Sequence, residues 1–569
     1  MITGRVATVQ SRPRVRVSVV LAFVVVAFVV LFWRLGEATF WDPDEAHYAE
    51  TTRELIETGD WLAPYYNERP FFDKPVLFHW LQGVPMALAG PNEFAARVTP
   101  ALASLALIAV TAWLGFTLLS AEVALVAALL LATNPAVFAL SRYAILDSLF
   151  TLFLFAGAAL VSVSALHRRP RLQWYGYVSI ALAVLVKGPL ALVLCALPFG
   201  LTLLLSAQAR ARLLELRLVS GVALVLAIAS PWFVYMGFRF RGGFLDGYLL
   251  DENIRLYAAD RFTPTASSSV WFYFRVLAAG LLPWTGIIVG RLWDDVRAAW
   301  RRDGSLDAVD VLLWSWTIAI VAFFTFSRFK LDHYVFPTAP ALCLVCARAW
   351  VALSDRADER TDERRNAGAR IGLWFVGPLL LGVAAAGGYM LIARLALPAS
   401  ALVVPAVVGA AGLALTISVS ARRQLAPRVP WVVCGALTVT YAGVVLWVLP
   451  ALEQRKVVPD LARWVATQAS TTDRVATYRL NRWNTAFRFY VSRHVEMIDA
   501  PDEASALFKG PENFYCTMPG TAYDEFVAGG APLRIVYERD GMWATSGRAL
   551  WRSRVPLARF VVATRANGP

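Results

Sequence analysis

The sequence predicts a polytopic α-helical membrane protein carrying a small α/β domain at its C-terminus. Three observations lead there. The 569 residues are 58% hydrophobic with a mean hydropathy of +0.54. Only 17% are charged, below the roughly 25% usual in soluble domains. Apolar stretches of span length recur from Val17 to Leu449 and then stop, and the tail beyond them alternates strand-like and helix-like segments.

A span needs roughly 17–25 apolar residues, which gives about 13 candidates. Their centres fall near Val26, Leu107, Leu129, Phe155, Leu182, Leu197, Ala227, Ala279, Ile320, Leu342, Leu380, Ala410 and Val439. Backbone groups in lipid must be satisfied internally, so each is expected to be a helix. The first stretch, Val17–Leu35, is long, lacks a small-residue cleavage site and runs straight into an acidic loop, which reads as an uncleaved span.

The net charge of +13 comes from 54 basic and 41 acidic residues. In a soluble chain that excess would suggest nucleic acid; here its distribution gives the better account. Arginines cluster before the first span (Arg5, Arg12, Arg14, Arg16). They recur at Arg168–Arg171, Arg210–Arg217, Arg291–Arg302, Arg356–Arg370 and Arg422–Arg428. Counted from a cytoplasmic N-terminus, every cluster falls on one side, as the positive-inside rule requires. The long connections 36–93 and 237–270, and the tail 451–569, are then exterior. The expected organisation is a membrane domain over 1–450 and an exterior α/β domain over 451–569. Helical patterning at Asp460–Gln468, Thr485–Val491, Glu503–Lys509 and Tyr523–Ala528 alternates with strand patterning at Arg474–Arg479, Val495–Ile498, Asn513–Thr517, Leu533–Glu538 and Arg559–Thr564. No catalytic motif stands in the tail, and support or partner binding is its expected role. Cys343 and Cys346 form a C-x-x-C inside an apolar helix, where packing is the plainer reading.

Charge at a membrane surface is costly and is usually kept for chemistry. The first long loop carries Asp42-Pro-Asp-Glu-Ala-His-Tyr48 and Phe71-Phe-Asp-Lys-Pro75. Asp42 and Glu45 fit a helix start, as N-cap and third-position partner of a capping box. Tyr48, Thr52, Leu55 and Ile56 then share a face and Gly59 ends the helix, giving an amphipathic segment on the membrane surface. Asp44 is not needed for the cap. At a helix N-terminus its pKa should be lowered, keeping it ionised as a base or charge-orienting group. Lys74 suits either a phosphate or snorkelling to lipid headgroups. Asp147, after Arg142 at the end of a span, suits either a site or a helix cap. Arg328, Lys330, Asp332 and His333 lie together between two spans, suited to an anionic leaving group or to interfacial anchoring. Lys187-Gly-Pro189 reads as a span end with a tight turn. Asp246, Asp251, Glu252, Arg255 and Arg261 lie in the second long loop and are expected to be mostly solvated. No P-loop, dinucleotide fingerprint or His/Cys metal box is present.

These residues together resemble the polytopic GT-C glycosyltransferases that use a polyprenyl-phosphate sugar, which include the aminoarabinose transferases of lipid A and the protein O-mannosyltransferases. The resemblance covers nearly the whole chain, and its local match is to the aminoarabinose branch: Pro43-Asp44-Glu45, Thr58-Gly-Asp-Trp61, Asp73-Lys-Pro75, Leu146-Asp147 and the Lys330/Tyr334 pair. It implies Asp44 and Asp147 as catalytic aspartates, Lys74 as the donor-phosphate ligand, and Lys330, Tyr334 and Arg142 as further phosphate-side groups. Glu45, His47, Tyr48, Arg328 and His333 would surround the substrate. Two departures stand out. The family's E-K-P has the shorter Asp73 here, and His47 occupies a position where some members have arginine. Some members hold a divalent metal (Zn, Mg or Mn) through the E-K-P acid and a loop histidine; the counterparts here are Asp73 and Glu252. The implied reaction moves a sugar from an undecaprenyl-phosphate donor to a lipid or protein acceptor with inversion, in a monomer of the bacterial inner membrane that touches membrane lipids and no nucleic acid. The rival from another class is a transporter or flippase of lipid-linked sugars, against which the charges gather at span ends and no repeated halves are visible. A sensor or assembly factor with a lapsed site is a third reading.

Overall fold

A computed structural model describes residues 17–255, 257, 269–301, 306–354, 366–395, 397–421, 428–480, 485–543 and 558–566. Within them, eight helices are long and apolar enough to cross a membrane: Glu93–Leu118, Asp147–Leu166, Leu218–Phe240, Ala308–Phe326, Asp332–Ser354, Ala367–Arg394, Ala399–Val419 and Val429–Glu453. The protein is thus a multi-pass membrane protein. Two bent pairs raise the number to ten. Ala121–Ala132 and Pro135–Ser141 meet at 58°, where the Asn134 carboxamide caps Ala136 N at 2.9 Å and Pro135 opens the new helix. Phe272–Gly280 and Thr285–Arg301 meet at 118°, so the straight span expected around Ala279 is a folded-back pair. The other three expected centres lie on apolar helices of fewer than 18 residues, Val20–Leu31, Leu172–Lys187 and Leu190–Leu205. Helix length therefore does not carry the expected 13 spans.

One helix crossing is closer than side-chain packing allows. Gly286 and Gly290 on Thr285–Arg301 face Gly368 and Gly372 on Ala367–Trp374, backbone against backbone. Both pairs have the four-residue spacing that lets membrane helices approach closely. The Asp294 carboxylate fastens the crossing by accepting from Gly368 N (2.8 Å) and Ala369 N (2.9 Å).

The tail folds as the alternation predicted. After a small hairpin of β1 (Tyr65–Tyr66) and β2 (Arg69–Pro70) in the first loop, the tail strands are β3 (Arg474–Tyr478), β4 (Glu496–Ile498), β5 (Phe514–Pro519), β6 (Leu533–Gly541) and β7 (Ala558–Arg565). They form one sheet ordered β4-β3-β5-β7-β6. β3 runs parallel to β4 and β5, with Ala476 beside Glu496 and Cys516, while β7 runs antiparallel to β5 and β6. The helices Val458–Gln468, Thr485–Val491, Pro501–Lys509 and Gly520–Ala528 separate the strands in sequence. All five cysteines are buried and free, as their packing role requires.

The first-loop helix, Asp44–Thr58, ends at Gly59 with φ 68° as expected. Its polar face is buried against the tail. Arg53 binds Glu50 (2.6 and 2.8 Å), and Arg488 of the tail spans Glu50 (2.9 Å) and Glu54 (2.8 Å). Glu54 also accepts from Asn67 N (2.6 Å) and Glu68 N (3.0 Å), and Asn67 Nδ2 donates to Val495 O (3.2 Å). Buried ions persist only where partners satisfy them, and here the helix's own Arg53 is joined by Arg488 of the tail and by the backbone of Asn67 and Glu68. What looks in sequence like a solvated face is the interface with the tail.

Gly290→Leu should overpack the glycine crossing by about 1–3 kcal/mol. Thermal denaturation in detergent should show a lower midpoint than Leu292→Ala on the same helix.

Candidate active site

The site forms where helix ends meet beneath the first loop. Asp147 is the first residue of its helix, yet its carboxylate caps nothing. It reaches Lys187 Nζ at 2.5 Å, with both side chains 8% exposed, and His333 Nε2 at 3.6 Å. Lys187 ends the helix Leu172–Lys187 before the Gly188 turn, and its ammonium lies 4.9 Å from the Tyr334 ring and 5.2 Å from the Phe150 ring. His333 and Tyr334 come from the short turn Asp332–Thr338. From the first loop, Lys74 Nζ donates to Glu252 Oε2 (3.1 Å) and to its neighbour's carbonyl, Asp73 O (2.8 Å).

Asp44 faces this group. Burial pushes its carboxyl above the ordinary value; the charge of His333 opposes that, Asp147 adds to it, and Lys74 opposes it. The helix N-terminus was expected to lower this pKa, and the surrounding protein outweighs it. Burial also raises Tyr48 well above a usual phenol, helped by Asp147 and Asp44, so Tyr48 keeps its proton as a donor. His47 is packed against Tyr66 (4.3 Å between centroids) and Phe71 (5.0 Å). Burial and Lys74 hold it down at about 3, so it is neutral near pH 7 and brings no cation where some relatives have arginine.

Glu45 has a larger task than the capping box expected of it. Its carboxylate, fully buried, accepts from Arg97 Nε (2.6 Å) and Nη2 (3.0 Å), from Trp41 N (3.1 Å) and from Ala144 N (3.0 Å). Asp42 does not cap the helix either. Its Oδ1 accepts from Thr485 Oγ1 and Ala486 N of the tail, both at 2.7 Å. Burial raises its carboxyl to about 7.

Lys330 and Arg142, expected on the phosphate side, and Arg328, expected around the substrate, make other contacts in the structure. The Lys330 ammonium turns back onto Ser327 O of its own loop, buried, with its pKa lowered by that burial. Arg142 Nη2 donates to Arg34 O (3.2 Å), at the end of the first membrane helix. Arg328 is exposed, and its backbone N–H meets Tyr257 O at 3.1 Å. Lys187 takes the place of Lys330 beside the aspartates. Asp251 pairs with Arg255 (2.7 Å) in the second long loop, and Arg261 lies outside the described residues.

The residues do not fit the metal that the resemblance implied. Among the described residues no three His, Cys, Asp or Glu side chains gather as a ligand set. Glu252, the expected counterpart of a ligand, lies against the Lys74 ammonium instead.

Asp147 and Lys187, buried at helix ends, with the half-buried Asp44 and Lys74 of the first loop beside them in a multi-pass membrane fold, fit the membrane glycosyltransferase that the resemblance implies. Comparison with known proteins agrees. The family model for dolichyl-phosphate-mannose-protein mannosyltransferases matches residues 18–244. The chain is 30% identical over 391 residues to the undecaprenyl phosphate-α-4-amino-4-deoxy-L-arabinose arabinosyl transferase of Pectobacterium carotovorum, covering 67% of each chain. It is 29% identical over 417 residues to the same-named protein of Pectobacterium atrosepticum, covering 70% of this chain and 71% of that one. The crystal structure of ArnT from Cupriavidus metallidurans bound to undecaprenyl phosphate superposes with a TM-score of 0.74, covering 98% of this chain and 100% of that one at 23% identity. The apo structure gives 0.72. The chain belongs to the aminoarabinose-transferase family of GT-C glycosyltransferases.

Replacing Lys187 by Met should lower turnover about 10²–10³-fold, the cost of removing one donor from a preorganised anion site. Lys330→Met should stay near wild type in the same radiolabel transfer assay.

Proposed function

We infer that the protein moves a sugar from an undecaprenyl-phosphate donor to a lipid acceptor on the outer face of the bacterial inner membrane. The observation that carries this is the pairing of Asp147 with Lys187 and His333 at helix ends, with Asp44 and Lys74 of the first loop electrostatically coupled to them. The relatives at 30% identity favour 4-amino-4-deoxy-L-arabinose as the sugar, and the resemblance favours lipid A as the acceptor. The donor's tail would lie in the bilayer with its phosphate toward Lys74 and Lys187. Those ammonium groups stabilise the phosphate as negative charge builds on it during departure. Asp147 holds Lys187 and His333 in place. Asp44 orients the acceptor; it takes the proton when the acceptor is a hydroxyl, and positions an already ionised phosphate without proton transfer. Attack opposite the leaving phosphate inverts the anomeric centre. A cytoplasmic N-terminus and a periplasmic tail follow from the arginine distribution.

A base with a raised pKa is better matched to work near neutral pH than an ordinary carboxylate. It must be ionised to act, so activity toward a hydroxyl acceptor should fall as pH drops through its raised pKa, above the ordinary value near 4. A limb at or below pH 4 in kcat would contradict that role.

Asp44→Asn in purified, folded protein should reduce sugar transfer about 10²–10⁴-fold. Donor crossing a vesicle bilayer with its sugar intact, with no label reaching any acceptor, would indicate a transporter and overturn the proposal.

A further inference from the structure

The chain on both sides of Asp44 is held from outside the first loop. Glu45, just after it, is fastened to Arg97 and Ala144 in the membrane domain. Asp42 and Pro43, just before it, are fastened by the tail, and one tail residue, Thr485, meets both. The Thr485 hydroxyl lies 2.7 Å from Asp42 Oδ1 and 2.8 Å from Pro43 O, bridging 442 residues of chain. Pro43 O also accepts the first bond of the helix, from His47 N at 3.0 Å. Thr485 is fully buried and Asp42 is 1% exposed. Among the described residues Asp42 Oδ2 has no partner, and Oδ1 carries the attachment. Thr485 therefore bears on the turn that sets where Asp44 begins its helix.

We propose that Thr485 is a positioning residue for Asp44, its one hydroxyl proton shared between Asp42 Oδ1 and Pro43 O, and that the tail domain thereby takes part in turnover. The proposal rests on the reading of Asp44 as the acceptor-orienting group. Removing the hydroxyl leaves Asp42 Oδ1 with Ala486 N alone and frees the turn before Asp44. A displacement of about 1 Å at a reacting group costs on the order of 10²-fold in rate. The donor site, built from Lys74 and Lys187, is untouched by that change. The expected signature is a loss in kcat without a loss in donor binding. A role confined to folding would not divide the two.

The test uses the full-length protein in detergent with a synthetic polyprenyl-phosphate sugar. Thr485→Val should lose about 10–10²-fold in kcat. Its donor KM, and its affinity for undecaprenyl phosphate alone, should stay within about twofold of wild type. Thr485→Ser, which restores the hydroxyl, should recover most of the rate. Thr485→Ala serves as a second deletion if Thr485→Val does not fold. Full activity in a hydroxyl-free variant overturns the proposal. So does a parallel loss of kcat, donor affinity and melting temperature that serine does not repair. Asp44→Asn is assayed alongside. Retained activity there would overturn the reading of Asp44 and this proposal with it. Loss there, with full activity in Thr485→Val, overturns this proposal alone.

Discussion

The Glu45 carboxylate joins the parts on which the site depends. It lies between two aspartates distant in sequence, next to Asp44 in the chain and bonded to the backbone of Ala144, three residues before Asp147. Arg97 neutralises it with two hydrogen bonds and spends its remaining donors on the carbonyls of Leu35, Ala38 and Thr39. One buried ion pair thus sets the end of the first membrane helix, the start of the first-loop helix and the approach to the Asp147 helix. Such a pair is costly to desolvate and contributes little to net stability by itself. Its contribution here is geometric, because every remaining lone pair and proton is used to fix a separate backbone segment.

The same cost of buried charge organises the rest of the loop. Glu50, Arg53, Glu54 and Arg488 form a network that no single segment could complete, so the first loop and the tail depend on each other. Histidines near the site are handled in the opposite way. His47 and His79 are packed among aromatic rings and held down at about 3, so both are neutral. His79 keeps a neutral partner, the Thr52 hydroxyl at 2.8 Å. The lysines Lys74 and Lys187 then bring cationic charge to the aspartates.

Much of this was legible in the sequence, for physical reasons. The tail strands and helices fall where alternating periodicity put them, because short amphipathic elements carry their period on their surface. Asp44, Lys74 and Asp147 stood out because charge beside long apolar runs demands a purpose. Lys187 did not, since a lysine closing an apolar helix before Gly-Pro looks like any span end. Its role depends on a neighbour 40 residues away. Lys330 and Arg142 show the reverse: their positions suited a phosphate, and in the structure their side chains meet the carbonyls of Ser327 and Arg34. The glycine crossing and the buried face of the first-loop helix were hidden because each needs a partner far off in the chain.

The central claim is that Lys74 and Lys187, beside Asp44 and Asp147, receive the donor phosphate. An experimental structure of the protein with undecaprenyl phosphate tests it most directly. Phosphate oxygens are expected at charge-assisted hydrogen-bond distance, about 2.7–2.9 Å, from the Nζ atoms of Lys74 and Lys187. A phosphate held instead by Lys330 and Arg328, with the Lys187–Asp147 pair left outside its reach, would contradict it.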